Sequence, residues 1–436
     1  MKPNTLSLVE YKAVYRSDVK EPKKEENGNI ALPPKLFEAL ENFYFANADA
    51  QHFFQPAKVH GKKALRAKNY VGLVQFHDGT TIEILPKIAD LENDIEGARE
   101  ILLRMLSTLK KSPFRHLDKA RLKATRLPLF EIFVSMFLKA VADLVRRGIK
   151  SDYITREENL KYFKGKLKIG EQLKRNFVHK ERFYVAYDEF LSDRVENRLI
   201  KTTLQTLYKR SQSSVNQQRI REFLFVFDDI GTSHDHRSDF KKVKLDRQMA
   251  HYEQVLAWCR IFLLGQSFGP YRGKDVAFAL LFDMNRLFES YVGVWFRKKL
   301  TNRKVALQDG RHYLAYLDEK SDEKSGRFRL KPDIVIKVID GGCVVVDTKW
   351  KVLDEEKNNQ NVSQADMYQL FAYGKKYEDC KQLFLIYPKS HKTTETKRYF
   401  FQKDRDGLSL SVLFFDLLKN EISYQSEFLK ARSGLF

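Results

Sequence analysis

Arg329-Leu330-Lys331-Pro332-Asp333-Ile334-Val335-Ile336, followed by Val344-Val345-Val346-Asp347-Thr348-Lys349, is the stretch that decides the fold. Both halves are short runs rich in β-branched residues, the pattern of buried strands. Asp333 begins the first run and Asp347 ends the apolar part of the second. Gly341-Gly342 between them reads as a tight hairpin turn. Alternate residues of a strand face one side, so Asp347 and Lys349 are expected to project together, with Thr348 pointing away. The hairpin brings Asp333 alongside. Two carboxylates and an ammonium on one surface suit a hard, oxygen-liganded cation such as Mg2+. That cation can activate water and neutralise phosphodiester charge, with the lysine orienting the water or stabilising the transition state.

Outward from this core, strands are expected at residues 328–330, 333–339, 343–348 and 383–387. A helix over 364–377 separates the last two, and a long apolar helix over 276–299 precedes them all. The order α-β-β-β-α-β predicts a mixed sheet flanked by helices. Gln369 and Tyr373 are four apart on the helix and share a face that could hold a phosphate or order the metal site. Further upstream, Gly265-Gln-Ser-Phe-Gly269-Pro-Tyr-Arg-Gly273-Lys274 is one residue short of phosphate-loop spacing and lacks its Ser or Thr, so it reads as an ordinary turn. Nucleotide chemistry, if any occurs, falls to a partner.

The earlier chain divides in two. Residues 71–76 and 81–85 read as a hairpin with Asp78-Gly79 in a two-residue type I′ turn. Helical spacing takes over at Ile101, Met105 and Leu109 and continues through Phe130, Phe133 and Phe137, whose stripe is that of a buried helix face. It returns over 193–208 and 219–226. The expected organisation is multidomain α+β: a β-rich domain at 1–95, a mainly helical basic region at 96–265, and an α/β domain at 266–436.

Charge follows this division. The 436 residues hold 78 Lys and Arg against 57 Asp and Glu, a net of +21. Residues 101–250 carry +15 of it, while 1–100 carry −1 and 251–436 carry +7. A basic region of this kind attracts polyanions, nucleic acid foremost. No run of 18 uncharged apolar residues occurs, which argues against a transmembrane helix. The N-terminus lacks a hydrophobic signal core. Cys259, Cys343 and Cys380 have neither zinc nor disulfide-framework spacing. A reduced, cytoplasmic setting is expected. His234-Asp235-His236 lies in a Ser/Asp/Arg loop and reads as solvent-exposed rather than metal-binding.

The Asp333, Asp347 and Lys349 set resembles the catalytic triad of the PD-(D/E)xK nuclease superfamily. Gln369-x-x-x-Tyr373 resembles the Q-x-x-x-Y motif of its RecB-like branch, and Glu289 resembles the acidic residue on the helix before the sheet. A longer string resembles the McrC family, nuclease subunits of McrBC modification-dependent restriction systems: Asn69-Tyr-Val-Gly-Leu-Val, Ile82-Glu-Ile-Leu-Pro-Lys87, Lys164-Gly-Lys-Leu167, Asn197-Arg-Leu-Ile-Lys201, Met284–Val292, Tyr368-Gln369-Leu and Leu385-Ile-Tyr-Pro388. Residues 1–60 and the last 40 carry little of it. The resemblance implies a C-terminal PD-(D/E)xK endonuclease domain and a Mg2+ held by Asp333, Asp347 and Glu289. Lys349, Gln369 and Tyr373 complete the implied catalytic set. It further implies docking on and stimulation of an McrB-like AAA+ GTPase hexamer, with double-stranded DNA as substrate. Dimerisation through the nuclease domain stays open. So do a motor-activating adaptor with an idle nuclease site and a basic DNA-binding scaffold.

Overall fold

The computed structural model describes residues 5–88, 94–110, 112–116, 126–264, 276–318, 324–338, 342–354, 356–390, 396–402 and 407–423. The Gly-rich stretch 265–274 and Gly341 of the Gly-Gly turn lie outside them. Two compact units emerge: Met1–Arg126 with Arg272–Phe436, and Leu127–Tyr271. Three successive domains were expected.

The difference traces to one eight-residue run. Val276-Ala-Phe-Ala-Leu-Leu-Phe-Asp283 is a strand, not the first third of a helix. It pairs antiparallel with Tyr70–Phe76, which pairs with Thr81–Leu85, which in turn pairs in parallel with Thr5–Val9. The run is apolar on both faces, as a buried strand requires, so its periodicity does not separate it from a helix. Gly72 makes the close pairing feasible: its φ is +138°, and a Cβ there would lie 2.0 Å from the Leu280 carbonyl oxygen. The helix begins only at Met284, where Asp283 accepts a hydrogen bond from the Asn285 backbone N–H as N-cap.

The Asp78-Gly79 hairpin forms, but with a longer turn than expected. Phe76 N–H donates to Thr80 and Gly79 N–H to Phe76. Only Gly79 has positive φ, at 87°, so the reversal takes a four-residue turn with one left-handed position rather than a type I′ pair.

The large sheet runs Val305–Leu307, Ile334–Lys337, Cys343–Thr348, Cys380–Pro388, Ser409–Asp416, Lys397–Phe400, with Glu421–Ser423 added beside Ser409–Asp416. It is mixed: Cys343–Thr348 is antiparallel to Ile334–Lys337 and parallel to Cys380–Pro388. Residues 328–330, expected as one of its strands, instead end at Arg329 in a separate two-stranded ribbon with Tyr313–Asp318. The Gln364–Lys376 helix covers one face through Leu370 and Tyr373, against Val335, Val345, Leu383 and Leu385. Met284–Lys299 covers the other, where Trp295 and Phe288 meet Phe415 and Trp350 edge to face.

The second unit is built on the helices Leu129–Arg147, Val195–Arg210, Ser214–Val226 and Glu253–Leu264. The Phe stripe is core there, with Phe133 and Phe137 fully buried beside Trp258 and Phe262. Cys259 is buried with them. Its three-stranded sheet, Lys166–Leu167, Phe183–Leu191 and Asp152–Leu160, is different in character. The helix Ile169–Arg175 beside it buries none of its residues, and Tyr153, Tyr162, Phe163 and Phe177 are all exposed. No described helix is long and apolar enough to cross a membrane.

Candidate active site

Register builds the site. Val335 opposes Val345 in the hairpin, so Val335, Val345 and the positions two beyond each, Asp333 and Asp347, share the face under the Gln364–Lys376 helix. Asp347 is buried at 2% exposure. Lys349 follows on the same face, and its Nζ lies 2.7 Å from Asp347 Oδ2 and 3.8 Å from Asp366 Oδ1. At 2.7 Å the ammonium is within hydrogen-bond reach of this buried carboxylate oxygen. From the helix, Gln369 Oε1 accepts from Lys349 Nζ at 3.3 Å, and Gln369 Nε2 donates to the Tyr373 hydroxyl at 2.7 Å. Asp347, Lys349, Gln369 and Tyr373 therefore form one connected chain of contacts.

Asp333 joins by another route. It stands one residue before the ladder begins, and its Oδ2 accepts from both the backbone N–H and the hydroxyl of Thr348, each at 2.7 Å. Thr348, expected to point away, thus orients one of the two aspartates. Glu289 is held to one side: Gln308 Nε2 donates to it at 2.6 Å, while Gln308 N–H donates to the Asp333 carbonyl at 2.8 Å. Sequence reading missed Thr348, Gln308 and Asp366. Asp366 alone left a trace, one helical turn before Gln369.

Burial, then repulsion from Asp347 and Glu289, raises the Asp333 carboxyl above its ordinary range, against the opposing pull of the Thr348 donors. Burial likewise raises Asp347 despite Lys349 beside it, and raises Glu289 despite Gln308. For Lys349, burial works against the charge, but Asp347, Asp366 and Asp333 outweigh it and raise its pKa. Acids that resist one another's ionisation in a buried pocket are held ready for a cation. Among the described residues no three His, Cys, Asp or Glu form a ready-made metal cage. Mg2+ needs only one or two carboxylates, keeping waters elsewhere. The two aspartates, both with carboxyl pKa raised by burial and that of Asp333 raised further by Asp347, fit that requirement. His234 and His236 do not: Asp235 caps the His236–Lys242 helix, and His236 Nδ1 lies 3.1 Å from the Ser233 hydroxyl.

Comparison with known proteins follows this geometry. The family described as McrBC 5-methylcytosine restriction system component matches residues 65–388. The chain is similar to the Type IV methyl-directed restriction enzyme EcoKMcrBC of Escherichia coli (strain K12), 24% identical over 285 residues, or 62% of this chain and 80% of that protein. It shares its fold with a chain in the refined half-complex from the tetradecameric assembly of Thermococcus gammatolerans McrB AAA+ hexamers with bound McrC. That match covers 97% of each chain, with a TM-score of 0.65 and 18% identity. A chain of the cryo-EM structure of the Thermococcus gammatolerans McrBC complex matches over 66% of this chain and 86% of its own, with a TM-score of 0.47 and 21% identity.

Proposed function

Because the chain belongs to the McrBC 5-methylcytosine restriction system component family, we propose that it is the Mg2+-dependent endonuclease subunit of a modification-dependent restriction system, with a PD-(D/E)xK site. It docks on a hexameric AAA+ GTPase, stimulates its hydrolysis of GTP and cuts double-stranded DNA. The observation that carries this reading is the meeting of Asp333, Asp347 and Lys349 at one buried strand end. Asp333 and Asp347 would hold Mg2+, and Glu289 stands close enough to act on both electrostatically. Bound there, Mg2+ would supply Lewis acidity and lower the pKa of an attacking water.

The protein's own part is positioning. Thr348 fixes the Asp333 carboxylate, and Gln369 with Tyr373 fixes Lys349. The Lys349 ammonium, kept charged by three aspartates, can orient the attacking water and meet charge developing on the phosphoryl oxygens. The similar half-complex holds McrB AAA+ hexamers with bound McrC, which supports a partner of that type here. The exposed aromatic segment that follows Asp152–Leu160 in the second unit, with Lys161, Lys164, Lys166 and Lys168 near Tyr162 and Phe163, is a candidate docking element. It also favours the second reading, a motor-activating adaptor.

Assembled with its GTPase on methylated DNA, an Asp333→Ala or Asp347→Ala protein should bind and stimulate GTP hydrolysis but cut at least about a hundredfold more slowly. Ordinary cleavage by either variant would sink the site. Wild-type stimulation of GTP hydrolysis with no cleavage by any variant, wild type included, would leave the adaptor reading.

A further inference from the structure

Glu10 lies outside the 65–388 family match, yet it is completely buried. Its backbone is fixed at the exit of Thr5–Val9, where Glu10 N–H donates to the Leu85 carbonyl and Tyr11 N–H to that of Ala67. Oε2 accepts from two donors: Lys87 N–H at 2.9 Å and the Trp350 indole Nε1–H at 3.0 Å. Oε1 has no hydrogen-bond partner. A carboxyl buried this way needs a structural return, because desolvation opposes it.

Trp350 is the residue after Lys349. The strand that carries Asp347 ends at Thr348; Lys349 N–H still donates to the Ile386 carbonyl at 2.9 Å, and its own carbonyl accepts from Lys351 N–H at 3.0 Å. Beyond it Lys351 Nζ donates to the Asn361 carbonyl at 2.7 Å, and Trp350 anchors the turn from inside. That residue is held at three points: its indole by Glu10, its backbone N–H by Asn285 Oδ1 at 3.4 Å, and its ring by Phe288 at 5.4 Å. Phe288 and Asn285 lie on the helix that carries Glu289.

We infer that Glu10 is a positioning residue for cleavage, acting through the Trp350 indole to hold Lys349 beside Asp347. This rests on the nuclease reading above. It assigns the N-terminal strand a part in a site it does not touch: the hydrogen bond ties the first sheet to the strand end where the acids meet. Removing the acceptor frees the indole, and the Lys349 ammonium then samples positions away from Asp347 and Gln369. Orienting groups behind a reactive residue are typically worth about ten- to a hundredfold in activity.

The test uses the full chain assembled with its GTPase partner. Single-turnover cleavage of methylated DNA and peptide-level hydrogen exchange over residues 343–353 are measured for the wild type, Glu10→Ala, Glu10→Gln, Trp350→Phe and the Glu10→Ala/Trp350→Phe pair. Glu10→Ala should cut about tenfold more slowly at saturating DNA with unchanged KM, and exchange should rise across 343–353. Glu10→Gln keeps the acceptor and should restore both. Trp350→Phe lacks the donor, so the double variant should be no slower than the slower single one. Wild-type cleavage by Glu10→Ala overturns the proposal. A slowed Glu10→Ala protein whose exchange rises equally in every strand also overturns it, since that marks general loosening. If the wild type cuts nothing, the nuclease reading fails, and exchange alone then decides whether Glu10 holds this strand end.

Discussion

At the level of single residues, the site depends on groups that hold other groups. Gln369 is exposed, yet it accepts from Lys349 and is itself held through Tyr373. Gln369→Ala should leave folding intact and slow cleavage about ten- to a hundredfold, which a paired measurement of melting temperature and cleavage rate will check. Glu10 makes a separate prediction for stability. Burial, opposed by its Lys87 and Trp350 donors, pushes its pKa from 4.5 up to about 8. Below pH 4.5 the folded and unfolded states both carry the proton. As pH rises from there the unfolded carboxyl ionises while the folded one does not, so stability falls until about pH 8 and then levels. Melting temperature across pH 5–8 should therefore decline more steeply in the wild type than in Glu10→Gln, which has no proton to lose. The residues of the site that could be read in advance were those inside a regular strand or helix. Asp347 with Lys349, and Gln369 with Tyr373, follow from periods of two and four. Thr348 could not be placed, because Asp333 stands outside the ladder and turns to the end of the neighbouring strand.

Among the elements, the strand Val276–Asp283 carries the most consequence. Its apolar run fits a buried helix and a buried strand equally well by composition. The partner that decides between them, Tyr70–Phe76, is remote in sequence, beyond the reach of any local pattern. The large sheet was legible for the opposite reason: its hairpin partners are adjacent, and apolar runs broken by Gly and Pro mark their limits. Gly72→Ala should test the remote pairing directly. The added methyl meets the Leu280 carbonyl at a separation no packed Cβ tolerates, and overpacking of this kind costs about 1–3 kcal/mol or more. A clear fall in melting temperature is expected, and an unchanged one would show that the two strands are not paired this closely.

Across the whole molecule, the first and last parts of the chain make one unit and residues 127–271 another. The charge must be reassigned with it. Residues 101–126 carry eight Lys and Arg against one acid, and they fall on the side of the division that holds the aspartates. Nearly half of the basic excess expected in a separate middle region thus belongs to the unit that holds the aspartates. A fragment of 272–436 made alone should be insoluble or non-cooperative in melting, and co-expression with 1–126 should rescue it, whereas 127–271 should melt cooperatively alone. The interrupted sheet also sets a timetable for synthesis. Once Tyr70–Phe76 has left the ribosome, its edge waits about 200 residues for Val276–Asp283, roughly 10–40 s at common elongation rates. Asp333 and Asp347 follow later still, so the acidic pocket is among the last parts of this unit to be assembled on every nascent chain.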